Sequence, residues 1–264
     1  MESDLIRLQD GRVRQLILSR PEKRNALNLA LCRELTDELD EANQDPETGA
    51  ILLTGQGTSF CAGMDLEEAG QANATEQAEV LDRLFSFPLR AKKPLVVAAQ
   101  GPVIGGGVGL VACAHFAIAA QGATFALTGI RIAAWPFVLF HQVAAAIGER
   151  RALELSLTGR ALGAPEAVQA GLVQQIAPAF EFDDRAATFA HHLATNSPAV
   201  TTAVFRFLEA SRGLDREAVR RLSREFHREC IEGPDFAEGL KAMRESRSPV
   251  WGSPATGAKP GGVE

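Results

Sequence analysis

The stretch VVAAQGPVIGGGVGLVACAHF, residues 96–116, decides how this chain is read. It opens as an apolar strand, turns at Gly101, Pro102 and the triple glycine 105–107, and restarts as an apolar helix. It contains no carboxylate, and no histidine before His115. A second segment, AILLTGQGTSFCAGMDL (50–66), shares the design: a strand over 50–54, a Gly/Ser turn, then Gly63 and Asp65 where another helix can begin. A helix N-terminus leaves amide donors unpaired and carries a partial positive charge. Two such turns that converge can therefore hold an oxygen that becomes negative during a reaction, using backbone alone. Glycine clusters also permit close helix–strand packing, and the residues by themselves leave both readings open.

A dinucleotide site is the obvious competitor. The strict G-x-G-x-x-G spacing starting at Gly105 would need glycine where Leu110 stands, and no acidic residue follows at the expected distance. No Walker lysine follows either turn.

Outward from these turns, the first 125 residues alternate strand and helix patterns: RQLILSR, then LALCRELTDELDEANQ, AILLTG, TEQAEVLDRLFSF and PLVVAAQG. Leu31, Leu35 and Leu39 make one apolar stripe, so the first helix is expected to lie on the sheet. After about residue 135 strands become scarce and helical patterns dominate, with Pro165, Pro198 and Pro234 at first-turn positions and Gly171, Gly213 and Gly233 at helix ends. The expected organisation is an α/β core over 1–195, a helical region over 196–251, and a Gly/Pro-rich disordered tail over 252–264. Arg212, Arg216, Arg220, Arg221 and Arg224 read as a solvated helix face.

With 264 residues, of which 46% are hydrophobic, the chain can fill a substantial core. A net charge of −6 disfavours nucleic acid or an anionic membrane as the main partner. No apolar run reaches the length of a membrane span, and the start, MESDLIRLQDGRV, lacks the regions of a signal peptide, so the cytoplasm is the expected location. Cys32, Cys61, Cys113 and Cys230 are widely spaced and read as small apolar residues rather than a disulfide framework or zinc site.

Five stretches together resemble the crotonase family, the enoyl-CoA hydratases and isomerases: LSRPEKRNALN (18–28), LTGQGTSFCAGMDL (53–66), KKPLVVAAQGPVIGGGVGL (92–110), GERRALELSLTGRALGAPEAVQAGLV (148–173) and DFAEGLKAMRESRSPVW (235–251). The resemblance spans almost the whole chain. It implies a spiral of ββα units with a C-terminal helical trimerisation region, a homotrimer or dimer of trimers, and a coenzyme A thioester as substrate or ligand, with no permanently bound cofactor. It further implies an oxyanion hole made by the backbone N–H groups of Met64 and Gly106. Lys23 and Arg24 become candidates for phosphate contact, and Ala26 and Ala62 for backbone contact around the adenine. Asp65 matches the family's AGxD aspartate, for which a helix-start role competes with substrate contact; Leu66 follows it, and Trp135, with Phe137, would shape an acyl pocket or the core.

The pattern breaks where the family's hydratases carry two glutamates. The first belongs at Gly109 and the second, in ATFALTGIRIA, at Gly129. Glycine transfers no proton, so ordinary hydration is doubtful. Glu67 and Glu68 are candidate surrogates; His115, His141 and Cys113 are weaker ones. The leading expectation is an acyl-CoA enzyme using a non-standard acid or base, or a reaction needing little beyond oxyanion stabilisation. The alternative is a catalytically inactive acyl-CoA-binding or assembly protein.

Overall fold

The computed structural model describes residues 3–71 and 73–252. Two compact units emerge: Met1–Arg90 with Pro94–Ala194, and Ala91–Lys93 with Thr195–Glu264. The sequence expectation for the tail lies, apart from Gly252, outside the described residues.

The first unit begins with β1 (Leu5–Asp10) and β2 (Val13–Leu18), followed by α1 (Leu29–Gln44) and β3 (Ala50–Gly55). Next come α2 (Leu66–Ala69), α3 (Ala74–Phe85), β4 (Leu95–Ala99), β5 (Pro102–Ile104) and α4 (Gly106–Cys113). β6 (Phe116–Ala120), β7 (Thr124–Ala126), α5 (Phe140–Ile147), α6 (Glu149–Thr158), β8 (Ala161–Gly163), α7 (Ala164–Ala170), β9 (Gln175–Ala177) and α8 (Phe182–Ala194) complete it. Six strands form a sheet in the order β1-β2-β3-β4-β6-β9, and β5-β7-β8 form a small second sheet. Only the β1–β2 pair of the large sheet is antiparallel.

Alternation along the strands sorts their side chains. Ala50, Leu52, Val96, Ala98, Ile118 and Ala120 face α8, whose Ala186, Ala190 and Ala194 let the helix approach closely. The alternating residues Ile51, Leu53, Val97 and Ala99 are buried on the opposite face. That double burial is why β4 reads as a continuous apolar run. α1 packs across β1 and β2. Its stripe is as the spacing predicts, with Leu31, Leu35 and Leu39 all buried and Asn28 accepting the Leu31 N–H as its N-cap.

Several strands escaped the sequence pattern. β1 is exposed over most of its length and so lacks a buried alternation, while β5, β7, β8 and β9 have three residues each, too few to show a period.

The two glycine turns run side by side, joined by a parallel bridge between Cys61 and Val103 and by hydrogen bonds from Phe60 N to Gln100 O (2.8 Å) and from Ile104 N to Cys61 O (2.9 Å). A methyl group at Gly63 would lie 2.7 Å from the Ile104 carbonyl oxygen, and one at Gly107 would lie 2.6 Å from that of Cys61. These glycines are there because the neighbouring turn occupies the place of a side chain.

The second unit contains α9 (Pro198–Ala210), α10 (Arg216–Glu232) and α11 (Pro234–Arg244), with Ser197 and Asp215 as the N-caps of α9 and α10. The Trp251 indole N–H donates to the Thr195 carbonyl (2.7 Å) and its ring packs on Gly239. The five arginines that read as a solvated face are all exposed.

Gly107→Ala is expected to lower the unfolding free energy by about 2 kcal/mol, the usual cost of forcing a methyl into a filled space. Denaturant midpoints at constant m-value measure it.

Candidate functional site

The N-terminal turn before α1 sets the first glycine turn in place. Asn25 is fully buried with φ of 55°, a left-handed conformation that asparagine tolerates better than most residues. Its amide nitrogen donates to the carbonyls of Gln56 and Ser59, both at 2.9 Å, and its oxygen accepts the Arg20 N–H at 2.9 Å. One side chain thus ties the segment from Arg20 to the loop that leads to Met64.

Met64 is held by a parallel bridge with Leu27, in which Leu27 N–H bonds to Gly63 O (2.7 Å) and Asp65 N–H bonds to Leu27 O (2.9 Å). In that pattern Leu27 pairs with the residues flanking Met64, so the N–H of Met64 itself turns away from Leu27. Gly106 is the first residue of α4, where an amide has no partner inside the helix. Among the described residues neither amide donates to a protein acceptor. The turns that carry them touch: a methyl at Gly63 would be 3.4 Å from the Gly106 nitrogen. α2 has only four residues, so the Met64 amide owes its exposure to the bridge rather than to a helix dipole.

Gly109 and Gly129, where the sequence resemblance would place two carboxylates, are closed to a side chain. A Cβ at Gly109 would lie 2.7 Å from the Phe85 ring and 3.0 Å from a Leu139 methyl, and both of those side chains are buried. At Gly129 it would lie 2.7 Å from the Ala134 carbonyl oxygen. Apolar packing and backbone fill the space that a side chain would need at either position.

The acidic residues after Met64 are all engaged by the N-terminal segment. Asp65 caps α2 and pairs with Arg20 at 3.1 Å, Glu67 pairs with Lys23 at 2.7 Å, and Glu68 accepts the Leu29 N–H at 2.9 Å, at the start of α1. Burial pushes the Asp65 carboxyl up, but hydrogen bonds from the Arg20 guanidinium and from the Glu68 and Glu67 amides outweigh it, leaving the pKa below its ordinary value. The Glu67 carboxylate bonded to it holds the Lys23 ammonium above its usual value.

Of the other candidates, Arg24 is exposed and its carbonyl accepts the Ala62 N–H (2.9 Å), which brings the two residues together. The Ala26 carbonyl accepts from Arg20 (2.6 Å). Leu66 is exposed. Trp135 donates to Ser156 on α6 (3.1 Å) and packs against Phe137 and Phe140 in an aromatic group of its own. His115 accepts the Leu95 N–H at Nδ1 (2.9 Å), and burial holds its pKa down to about 4, so it is a neutral packed residue. His141 is exposed. The Cys113 thiol donates to the Phe85 carbonyl (3.2 Å), and burial drives its pKa well above that of a free thiol.

Sequence reasoning missed Arg20, Asn25, Phe85 and Leu139. Arg20 stands inside the quoted LSRPEKRNALN stretch and could have been suspected. Phe85 and Leu139 are ordinary apolar residues in sequence, and nothing there signals their meeting at Gly109.

A family model described as enoyl-CoA hydratase/isomerase matches residues 9–254. The chain is 32% identical over 251 residues to a Thermus thermophilus protein whose name places it among enoyl-CoA hydratases, covering 93% of this chain and 99% of the relative. It is 30% identical over 243 residues to the mevalonyl-coenzyme A hydratase of Aspergillus fumigatus, covering 89% of this chain and 90% of that protein. The solved structure of an enoyl-CoA hydratase from Bacillus anthracis superposes with a TM-score of 0.88 at 28% identity, covering 94% of this chain and 99% of that one. The chain belongs to the enoyl-CoA hydratase/isomerase family and has the crotonase fold. Among the described residues, no helix is long and apolar enough to cross a membrane.

Arg20→Met strands the largely buried Asp65 carboxylate and is expected to destabilise the protein by about 3 kcal/mol. The Asp65 pKa is lower folded than unfolded, so the stability it contributes is complete above the unfolded value of about 3.9 and is lost as the pH falls below it. Denaturant midpoints measured from neutral pH into acid should decline less steeply in the variant than in the wild type.

Proposed function

We propose that this chain binds an acyl-CoA thioester with its carbonyl oxygen between the N–H groups of Met64 and Gly106, and that it does not hydrate enoyl-CoA by a two-carboxylate route. The observation that carries the reading is the pair of unclaimed amides on two touching glycine turns, set beside closed positions 109 and 129. Enolisation of a thioester places negative charge on one oxygen. A fixed amide donor aimed at such an oxygen is worth about 3–4 kcal/mol in the transition state, and two donors need no proton transfer of their own. Chemistry within reach of such a site is isomerisation, decarboxylation or thioester hydrolysis.

The coenzyme's phosphates fall to Lys23 and Arg24, and its adenine to the backbone at Ala26 and Ala62. A phosphate at Lys23 competes with Glu67 for the ammonium, and this frees the Glu67 carboxylate as a surrogate base together with Glu68. Three apolar residues exposed on the helical unit, Val204, Leu208 and Ile231, support its assembly into a homotrimer or dimer of trimers. A cytoplasmic setting belongs to the same proposal, supported by four free cysteines.

A second reading is that the protein binds acyl-CoA and turns nothing over. What favours it is that Asp65, Glu67 and Glu68 already have partners in the N-terminal segment.

Crotonyl-CoA hydration should be at least about 10⁴-fold slower than in a two-carboxylate hydratase, because each missing group removes about 10²- to 10⁴-fold. Calorimetry should show coenzyme A and its thioesters binding to the wild type, and the Lys23→Ala, Arg24→Ala double variant should bind about tenfold more weakly or worse. Turnover of any thioester in a small panel, lost in Glu68→Gln, selects the enzyme; binding without turnover selects the second reading; no binding ends both. Light scattering of the full chain should give three or six times the monomer mass.

A further inference from the structure

Gly106 and Gly109 stand one turn apart on the same face of α4, and neither presents a side chain there. What covers that face is Phe85. A methyl at Gly106 would lie 3.8 Å from the Phe85 ring and 2.9 Å from a Leu27 methyl, while one at Gly109 would meet the ring at 2.7 Å and Leu139 at 3.0 Å. The ring therefore lies along the helix from the unpaired Gly106 amide to Gly109. It is 1% exposed, with Leu27 at 3% and Leu139 at 5%.

The ring is also held in place. The Phe85 carbonyl accepts two hydrogen bonds, from the Cys113 thiol on α4 at 3.2 Å and from the Gln142 side-chain amide on α5 at 3.0 Å. The end of α3 is thus pinned to both helices that flank the ring, and a rotation of the side chain meets packed atoms on either side.

We propose that Phe85, backed by Leu139, sets acyl-chain length: it closes the space beside the Gly106 amide so that the site takes thioesters of two- or three-carbon acyl groups and rejects long ones. This rests on the acyl-CoA reading above. A thioester oxygen at Gly106 places its acyl arm within van der Waals reach of this apolar wall. A short arm lies against the ring, whereas a long arm must displace a fully buried side chain.

The test is calorimetric binding of coenzyme A, acetyl-CoA and octanoyl-CoA to the full-length wild type, Phe85→Ala and Leu139→Ala, with thermal melts to verify folding. Wild type should prefer acetyl-CoA over octanoyl-CoA by about tenfold or more, the discrimination a filled apolar pocket provides. Phe85→Ala should erase or reverse that preference while coenzyme A binding is unchanged. Phe85→Leu, which keeps most of the packing, serves if the alanine variant does not fold, and should shift the ratio in the same direction. Equal binding of both thioesters by wild type, or an unchanged ratio in folded variants, overturns the proposal while leaving the acyl-CoA site standing. Failure of wild type to bind coenzyme A or either thioester overturns both.

Discussion

The contact between the two glycine turns is the constraint on which the rest of the site depends. Each turn leaves its strand and fills the place where the other would carry a side chain, with the Ile104 carbonyl against Gly63 and the Cys61 carbonyl against Gly107. Backbone lying on backbone leaves little slack, and the proposed role of the two amides depends on that, since the value of fixed donors to a developing charge comes from not having to reorganise. Rigidity at this point comes from main chain, and side chains serve mainly to hold the turns from outside. Asn25 does so for the first turn, and the ion pairs of Arg20 and Lys23 do so for the residues just after Met64.

That division of labour leaves Gly109 and Gly129 outside the contact that holds the turns together. Position 109 lies on a helix face and position 129 in a turn beyond β7, and neither contributes to the contact between the glycine turns. Around these two positions the protein has Phe85, Leu139 and close-packed backbone. An apolar filling of this kind packs closely and carries no desolvated charge to compensate.

Elements that bury one face or both were legible in the sequence because burial writes a period into it. The stripe of Leu31, Leu35 and Leu39 and the unbroken apolar run of β4 are examples. Three-residue strands such as β5 and β7 exist only because other short strands, distant in sequence, pair with them, and no local signal could announce them. Within the candidate site, the glycines of the two turns could be read directly, since the presence of a residue type is local information. The filling of the emptied space could not. Phe85 and Leu139 come from different helices or their approaches, and their convergence on Gly109 is tertiary. The same holds for Arg20, whose guanidinium has three partners, Asp4, Ala26 and Asp65, scattered along the chain.

The closure of Gly109 also bears on the histories open to this protein. Introducing a glutamate there by a single substitution would drive its first carbon into an aromatic ring whose backbone is bonded to two helices. The ring and its neighbour would have to shrink first, and either change alone leaves a void in the core. A lineage carrying this packing therefore faces a stability valley on the way to any charged side chain at this position.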